Sequence, residues 1–249
     1  MKKILYILFL LLLISCNSSR HYTITEITGE YIPVLAAQNP DKNLEDFVSR
    51  YKMQLDREMN VRIGTSSQYM TTGAPESLLT NLVTDVMMQV DKKYTENYPI
   101  DAAFMNVHGI RSPIAEGNIV VGDIYSAFPF DNTLTLLRIK GKYLNDIFAA
   151  IAKSEMVGVS GNIKIIVKDK KVISSTINNM PLKEEKLYTI ITLDYLADGN
   201  DTMDAFKKAE YIKPTGITLR EYMLNYVQNL TSQDQRLTAK LDGRISVIK

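Results

Sequence analysis

Three short segments of the chain combine residue types that can do chemistry together. Asn106-Val-His-Gly-Ile-Arg111 puts an amide, a flexible glycine at Gly109 and a guanidinium within six residues. Ala127-Phe-Pro-Phe130-Asp-Asn132 carries an aromatic ring fixed by the proline before it. Tyr195-Leu-Ala-Asp-Gly-Asn-Asp201 sets a second ring six residues ahead of a carboxylate, with Gly199 between them. Such a set suits a nucleoside or nucleotide. Two aromatic faces can sandwich a base, each stack contributing roughly 1–3 kcal/mol. A carboxylate can accept hydrogen bonds from both ribose hydroxyls, and an arginine can present two parallel donors to a phosphate. Each residue alone has a plainer reading. Phe130 and Tyr195 read more commonly as core, Arg111 as a solvated surface charge, and Asp201 beside Gly199 as a turn former. Spacing alone leaves both readings open.

The elements that must position these loops are legible in the hydrophobic pattern. Ile100 to Met105, Leu134 to Ile139 and Leu187 to Leu193 are short apolar runs that predict strands, and each lies next to one of the loops. Ile163–Val167 and Val172–Thr176 predict a hairpin around Lys168-Asp-Lys-Lys171. Helical spacing marks 43–59 (Leu44, Phe47, Val48, Tyr51, Leu55, Met59), Lys142–Ala152 and about 218–230. A further helix is expected to start at Pro75-Glu76, with the proline in its first turn and Leu78, Leu79, Leu82, Val86 and Val90 as its buried stripe. Residues 22–27 alternate with period two and predict a strand, and Val61–Tyr69 reads as a strand or linker. Strands and helices mix without strict βαβ alternation, so the fold class is α+β, one domain over 41–249 behind a tether of residues 16–40.

Composition narrows the function. A chain of 249 residues that is 45% apolar and 23% charged can bury a core and is not disordered. Lys+Arg 29 against Asp+Glu 28 gives +1, with no dense basic run, so no nucleic-acid partner is expected. One Cys excludes an internal disulfide and a cysteine zinc site, and with only His21 and His108 no multi-histidine metal centre can be assembled; no metal site is expected in this chain. Lys2 and Lys3, the apolar run Ile4–Ile14 and Ser15-Cys16 describe a secretory signal over 1–15, about half a bilayer core in length. Leu13-Ile14-Ser15-Cys16 resembles the bacterial lipobox. That resemblance implies lipidation of Cys16 and anchoring to a cell-envelope membrane, periplasmic side expected.

The order of the loops carries a second resemblance. The segment Glu76-Ser-Leu-Leu-Thr-Asn81-Leu-Val-Thr-Asp85-Val-Met87 is followed by the Asn106–Arg111 loop, by Gly117-Asn-Ile119 with Gly122-Asp123-Ile124, by Pro129-Phe130-Asp131-Asn132, and by Tyr195-Leu-Ala-Asp-Gly-Asn-Asp201. This succession resembles the C-terminal domain of the 5′-nucleotidase and UDP-sugar hydrolase family. The resemblance implies that Phe130 and Tyr195 sandwich the base and Asp201 binds the ribose hydroxyls. It implies also that Asn106 touches the base or sugar edge and Arg111 faces the phosphate. Asn81, Asp85, Gly109 and Gly199 would give structural support. The sequence departs from the family pattern at His108 and Asn200, where the family has glycine, and near Gly73, where it often has arginine. In that family, hydrolysis belongs to a separate N-terminal domain with two metal ions. Three readings follow: the recognition half of a nucleotidase working with a separately encoded metallophosphatase that holds the divalent metals, a non-catalytic nucleoside- or nucleotide-binding lipoprotein, or a remnant whose pocket is closed. No cofactor is expected in this chain.

Overall fold

The computed structural model of the chain describes residues 22–33 and 41–248. The expected signal sequence, Cys16, His21 and parts of the expected tether lie outside the described residues. Two compact units are distinguished, one through Asp46 and one from Phe47, the boundary falling inside helix α1 (Lys42–Met59). Residues 22–33 form neither strand nor helix, against the strand expected over 22–27. Tyr22, Ile24 and Ile27 are exposed. A strand needs a neighbour to pair its amides and a core for its apolar side, and period-two alternation alone supplies neither. The expected helix over 43–59 forms as α1, but none of its residues is buried.

In the second unit the apolar runs become the centre of a five-stranded mixed sheet. Strands β2 (Ala102–Asn106), β4 (Thr133–Lys140) and β9 (Leu187–Leu193) are joined by the edge strands β10 (Tyr211–Thr218) and β5 (Val157–Val159), in the order β10-β4-β9-β2-β5. Both faces of β2, β4 and β9 are covered, which is why these strands read as mostly apolar runs rather than alternations. Ala103, Met105, Leu134, Ile191 and Leu193 join one core, with helices α2 (Leu78–Met87), α3 (Val121–Ala127) and α6 (Leu219–Ser232). Ala102, Phe104, Leu137, Ile139 and Ile190 join the other, with helix α4 (Gly141–Ser154). That second core also takes Ile163, Ile165 and Val167 from β6 (Ile163–Lys168), which forms the expected hairpin with β7 (Lys171–Ile177). The hairpin belongs to a four-stranded sheet completed by β8 (Met180–Pro181) and by β11 (Ile245–Ile248), parallel to β6. A two-stranded sheet pairs β1 (Arg62–Ser66) with β3 (Gly117–Val120).

Register decides where the loops meet. β9 runs antiparallel to β4, with Leu193 opposite Leu134 and Leu187 opposite Lys140. It runs parallel to β2, with Ile190 opposite Ala102. The segment after β2, the segment before β4 and the segment after β9 therefore emerge at one end of the sheet.

Helix α2 starts later than Pro75 predicts. Its N-cap is Ser77, whose hydroxyl accepts from the Thr80 N–H at 3.4 Å, and Pro75 lies before it. A serine hydroxyl satisfies an otherwise orphaned helical N–H, which proline in the first turn does not do. Glu76, freed from the helix, braces a distant segment instead. Its carboxylate accepts from Asn81 Nδ2 at 2.6 Å and from the backbone N–H groups of Asp242 (2.9 Å) and Arg244 (3.1 Å). Asn81 Nδ2 also donates to the Lys240 carbonyl at 2.8 Å. Together they fasten the segment leading into β11 across α2.

Arg244 closes this clasp. It is 1% exposed, and its guanidinium donates to both Asp85 oxygens (2.9 and 2.5 Å), to Asp242 Oδ1 (3.0 Å) and to the carbonyls of Asn81 (3.2 Å) and Val159 (3.0 Å). Asp85 Oδ1 also accepts from the Gly161 N–H at 3.0 Å. Removing one member of such a group leaves buried charge uncompensated. Arg244→Ala is expected to lower the unfolding free energy by about 3 kcal/mol, the low end for a buried pair because Asp85 stays 44% exposed on its side chain. Lys164→Met, which removes the half-exposed partner of Asp242, should cost about 0.5 kcal/mol. Urea denaturation of both variants tests the contrast; equal losses would refute it.

Candidate functional site

The first loop leaves β2 through Asn106, 6% exposed, and turns tightly over Val107–Gly109. Gly109 is held close to that amide. A Cβ there would stand 2.7 Å from Asn106 Oδ1 and 2.8 Å from Met105 Cε, so any larger residue displaces Asn106. The loop is then tied to the second one, because the Arg111 N–H donates to the Ala127 carbonyl at 2.9 Å. The side chain of Arg111 is left in solvent.

The second loop runs from the end of α3 to the start of β4 and carries Phe130. Arg220, on α6, holds it from below: Nη1 donates to the carbonyls of Phe128 (3.2 Å) and Pro129 (3.0 Å), and Nη2 pairs with Asp131. The same guanidinium lies over the Tyr125 ring, 4.6 Å from its centroid. At the far end, Asp194 stitches this loop to the third. Its carboxylate accepts from Asn132 Nδ2 (2.9 Å), the Thr133 N–H (3.0 Å), the Thr133 hydroxyl (2.8 Å) and the Tyr195 N–H (2.7 Å). Burial pushes the Asp194 carboxyl up, but these donors outweigh it and hold it below the usual carboxylate range.

The third loop begins in the one-turn helix α5 (Asp194–Ala197) and closes on itself. Asn200 Nδ2 donates to the Tyr195 carbonyl at 2.8 Å, and the Tyr195 hydroxyl donates to Asp201 Oδ1 at 3.1 Å. Gly199 lies at φ 82°, a conformation that side chains resist, whereas Asp201 accepts φ 53° as aspartates do more readily than most residues. Asn200, where the family pattern has glycine, thus contributes a bond that glycine cannot make. Partial burial, and after it the hydrogen bond to Asp201, raise the Tyr195 phenol above its usual value.

All five residues expected to bind ligand, Asn106, Arg111, Phe130, Tyr195 and Asp201, line one open cleft of about 580 Å³. His108, Gly109, Asp131 and Asn132 complete its lining. Phe130 is 48% exposed and Tyr195 37%, so neither ring is core, which removes the plainer reading for both. Among the described residues three buried side-chain polar atoms lack a hydrogen-bond partner: Arg138 Nε, Asn106 Oδ1 and Asp201 Oδ2. Two of these three belong to cleft residues, and unpaired buried acceptors are costly. Asn81 and Asp85 are not in the cleft lining; they hold the segment before β11 and the Gly161 turn. Asp194 and Arg220, which fix the loops, are absent from the set that sequence reasoning selects. Asp194 immediately precedes the third motif, and its strand-to-helix position is a signal that could have found it. Arg220 sits on a distant helix with no local signal.

The described residues contain no group of three or more His, Cys, Asp or Glu side chains able to hold a metal ion. They do not fit the two-metal centre of nucleotide hydrolysis, and no step of that chemistry is placed on them. No helix among them is long and apolar enough to cross a membrane.

Residues 59–208 match the family described as 5′-nucleotidase, C-terminal domain. The chain is 30% identical over 177 residues to an apyrase of Aedes aegypti, covering 63% of this chain and 30% of that protein. It is 29% identical over 202 residues to a snake venom 5′-nucleotidase of Gloydius brevicauda, covering 68% and 34%. The chain therefore spans about a third of the length of these curated relatives. Among solved structures, a 5′-nucleotidase precursor from Thermus thermophilus superposes with TM-score 0.70 at 25% identity, over 82% of this chain and 43% of that one. The mixed sheets and covering helices match that fold.

The Asp194 junction makes a pH prediction. Its carboxyl is held below its unfolded value, so its contribution to stability is complete above the ordinary aspartate value of about 3.9 and is lost as pH falls through the folded value. Asp194→Asn should lower Tm at pH 7 and flatten the fall of Tm below about pH 4. Thermal unfolding at a series of pH values checks it; parallel profiles for variant and wild type would contradict it.

Proposed function

The chain belongs to the 5′-nucleotidase C-terminal domain family, and we propose that it is the nucleotide-recognition half of a nucleotidase, serving phosphate-ester hydrolysis in nucleotide catabolism. The observation that supports this most is the composition of one cleft. Two half-exposed rings from separate loops, and two residues with unpaired buried acceptors, share about 580 Å³ with an arginine in solvent. In this reading Phe130 and Tyr195 stack on the two faces of the base. Asp201 accepts from the sugar hydroxyls. Asn106 offers its amide to the base or sugar edge, and Arg111 faces the phosphate. Gly109 keeps the Asn106 amide in place, and the Asp194 and Arg220 bonds hold both ring-bearing loops before a ligand arrives, which lowers the ordering cost of binding.

The hydrolytic step is assigned to a separately encoded metallophosphatase chain, whose divalent metals supply that chemistry. Lipidation at Cys16 would hold the recognition half at a bacterial cell-envelope membrane, on the periplasmic side. A second reading, a nucleoside- or nucleotide-binding lipoprotein without catalysis, rests on the same cleft and on the lack of a metal-ligand cluster among the described residues.

Phe130→Ala and Tyr195→Ala are each expected to weaken adenosine and AMP binding at least tenfold in calorimetry, from the loss of a stack of roughly 1–3 kcal/mol. Unchanged affinity in both variants removes the stacking roles. Mixing the protein with a metallophosphatase that lacks this domain, in the presence of AMP and Mn²⁺, should release phosphate faster than the phosphatase alone. No acceleration, with binding intact, would favour the non-catalytic reading.

A further inference from the structure

The third loop poses a problem that the sandwich does not explain. Asp201 is the carboxylate meant for the sugar, yet neither oxygen stands ready for it. Oδ1 accepts from the Tyr195 hydroxyl at 3.1 Å. Oδ2 is buried and has no donor at all. A carboxylate oxygen without a donor is a standing cost, and in this loop the cost is maintained by bonds that close the segment on itself. Asn200 Nδ2 fixes the Tyr195 carbonyl, the phenol fixes Oδ1, and Asp201 and Thr202 follow one another in the left-handed region at φ 53° and 64°.

We propose that the Tyr195 hydroxyl is a built-in competitor for the ligand's sugar: it occupies Asp201 Oδ1 in the free protein and must give it up, or share it, when a vicinal diol binds. The inference rests on the nucleotide-binding reading above and specifies the cost of sugar recognition within it. One side chain then has two opposed effects. Its ring favours any base, because stacking is indifferent to the sugar. Its hydroxyl subtracts from the gain that the two ribose hydroxyls make on Asp201. A vicinal diol has to displace or share one hydrogen bond and satisfy Oδ2 by turning the carboxylate outward. A sugar with neither hydroxyl has nothing to replace and leaves the loop as it is. The wild-type cleft is therefore a weak discriminator of ribose, and its selectivity is set by one oxygen atom.

The test is Tyr195→Phe, which keeps the ring and removes the competitor. Calorimetry on the full chain would compare adenosine with 2′,3′-dideoxyadenosine. The variant should bind adenosine about fivefold more tightly, the effect of one hydrogen bond no longer broken, and dideoxyadenosine unchanged within twofold. Unchanged dideoxyadenosine binding also shows that the variant is folded with its stack intact. In an Asp201→Asn background, Tyr195→Phe should not tighten adenosine binding. Weaker or unchanged adenosine binding by Tyr195→Phe overturns the proposal, weaker binding showing instead that the phenol holds Asp201 ready for the sugar. An equal change for both nucleosides also overturns it, by placing the effect in the stack. If the wild type binds neither nucleoside, the nucleotide-binding reading fails and this inference with it.

Discussion

The position of β9 between an antiparallel and a parallel neighbour is the constraint on which the site depends. Because β4 enters the sheet opposite the end of β9, the loop before one and the loop after the other are neighbours. Because β2 runs the same way as β9, its trailing loop joins them. The shared direction of β2 and β9, opposite to that of β4, gathers an amide, two rings and a carboxylate from segments far apart in sequence. The sheet can hold that register because both of its faces are buried. A slip by one residue would exchange Ile190 with Ile191 and Ala102 with Ala103 between two different cores.

What register brings near, polar side chains then fix. The Asp194 carboxylate is engaged wholly inside the protein, with Asn132, Thr133 and Tyr195. Arg220 is engaged likewise with Phe128, Pro129 and Asp131. Neither is left over for a ligand. The loops thus behave as extensions of the sheet, and of the three buried side-chain atoms without a partner among the described residues, Asn106 Oδ1, Asp201 Oδ2 and Arg138 Nε, two belong to the cleft. Satisfied polar groups make the frame, and the cleft residues keep two acceptors unpaired.

The legible and illegible parts of the sequence divide along physical lines. β2, β4 and β9 announce themselves because strands buried on both faces are rich in apolar residues. The β6–β7 hairpin does so through its charged turn. The strand expected over 22–27 fails because alternation records only what a segment could pair, not whether a partner exists. β10 is hidden because Pro214 interrupts its pattern; at the sheet edge, and near the register shift before Thr218, the missing N–H is tolerated. The start of α2 departs from expectation because the serine that caps it outranks the proline before it. In the site, the rings, Asn106, Arg111 and Asp201 are legible through the order of short motifs. Arg220 is not, since its bond to Asp131 crosses 89 positions and leaves no local trace.

Asp85 and Arg244 lie 159 positions apart, and that distance has a kinetic meaning. Closing so long a loop costs entropy before the ion pair returns anything, so the clasp is expected to follow the local contacts in folding. Until it forms, β11 has not docked and the flank of β6 is an open edge carrying Ile165 and Val167. Any species that pauses there offers an unpaired apolar strand to its neighbours. The guanidinium that fastens the segment before β11 thereby also helps to cover an edge open to misassembly.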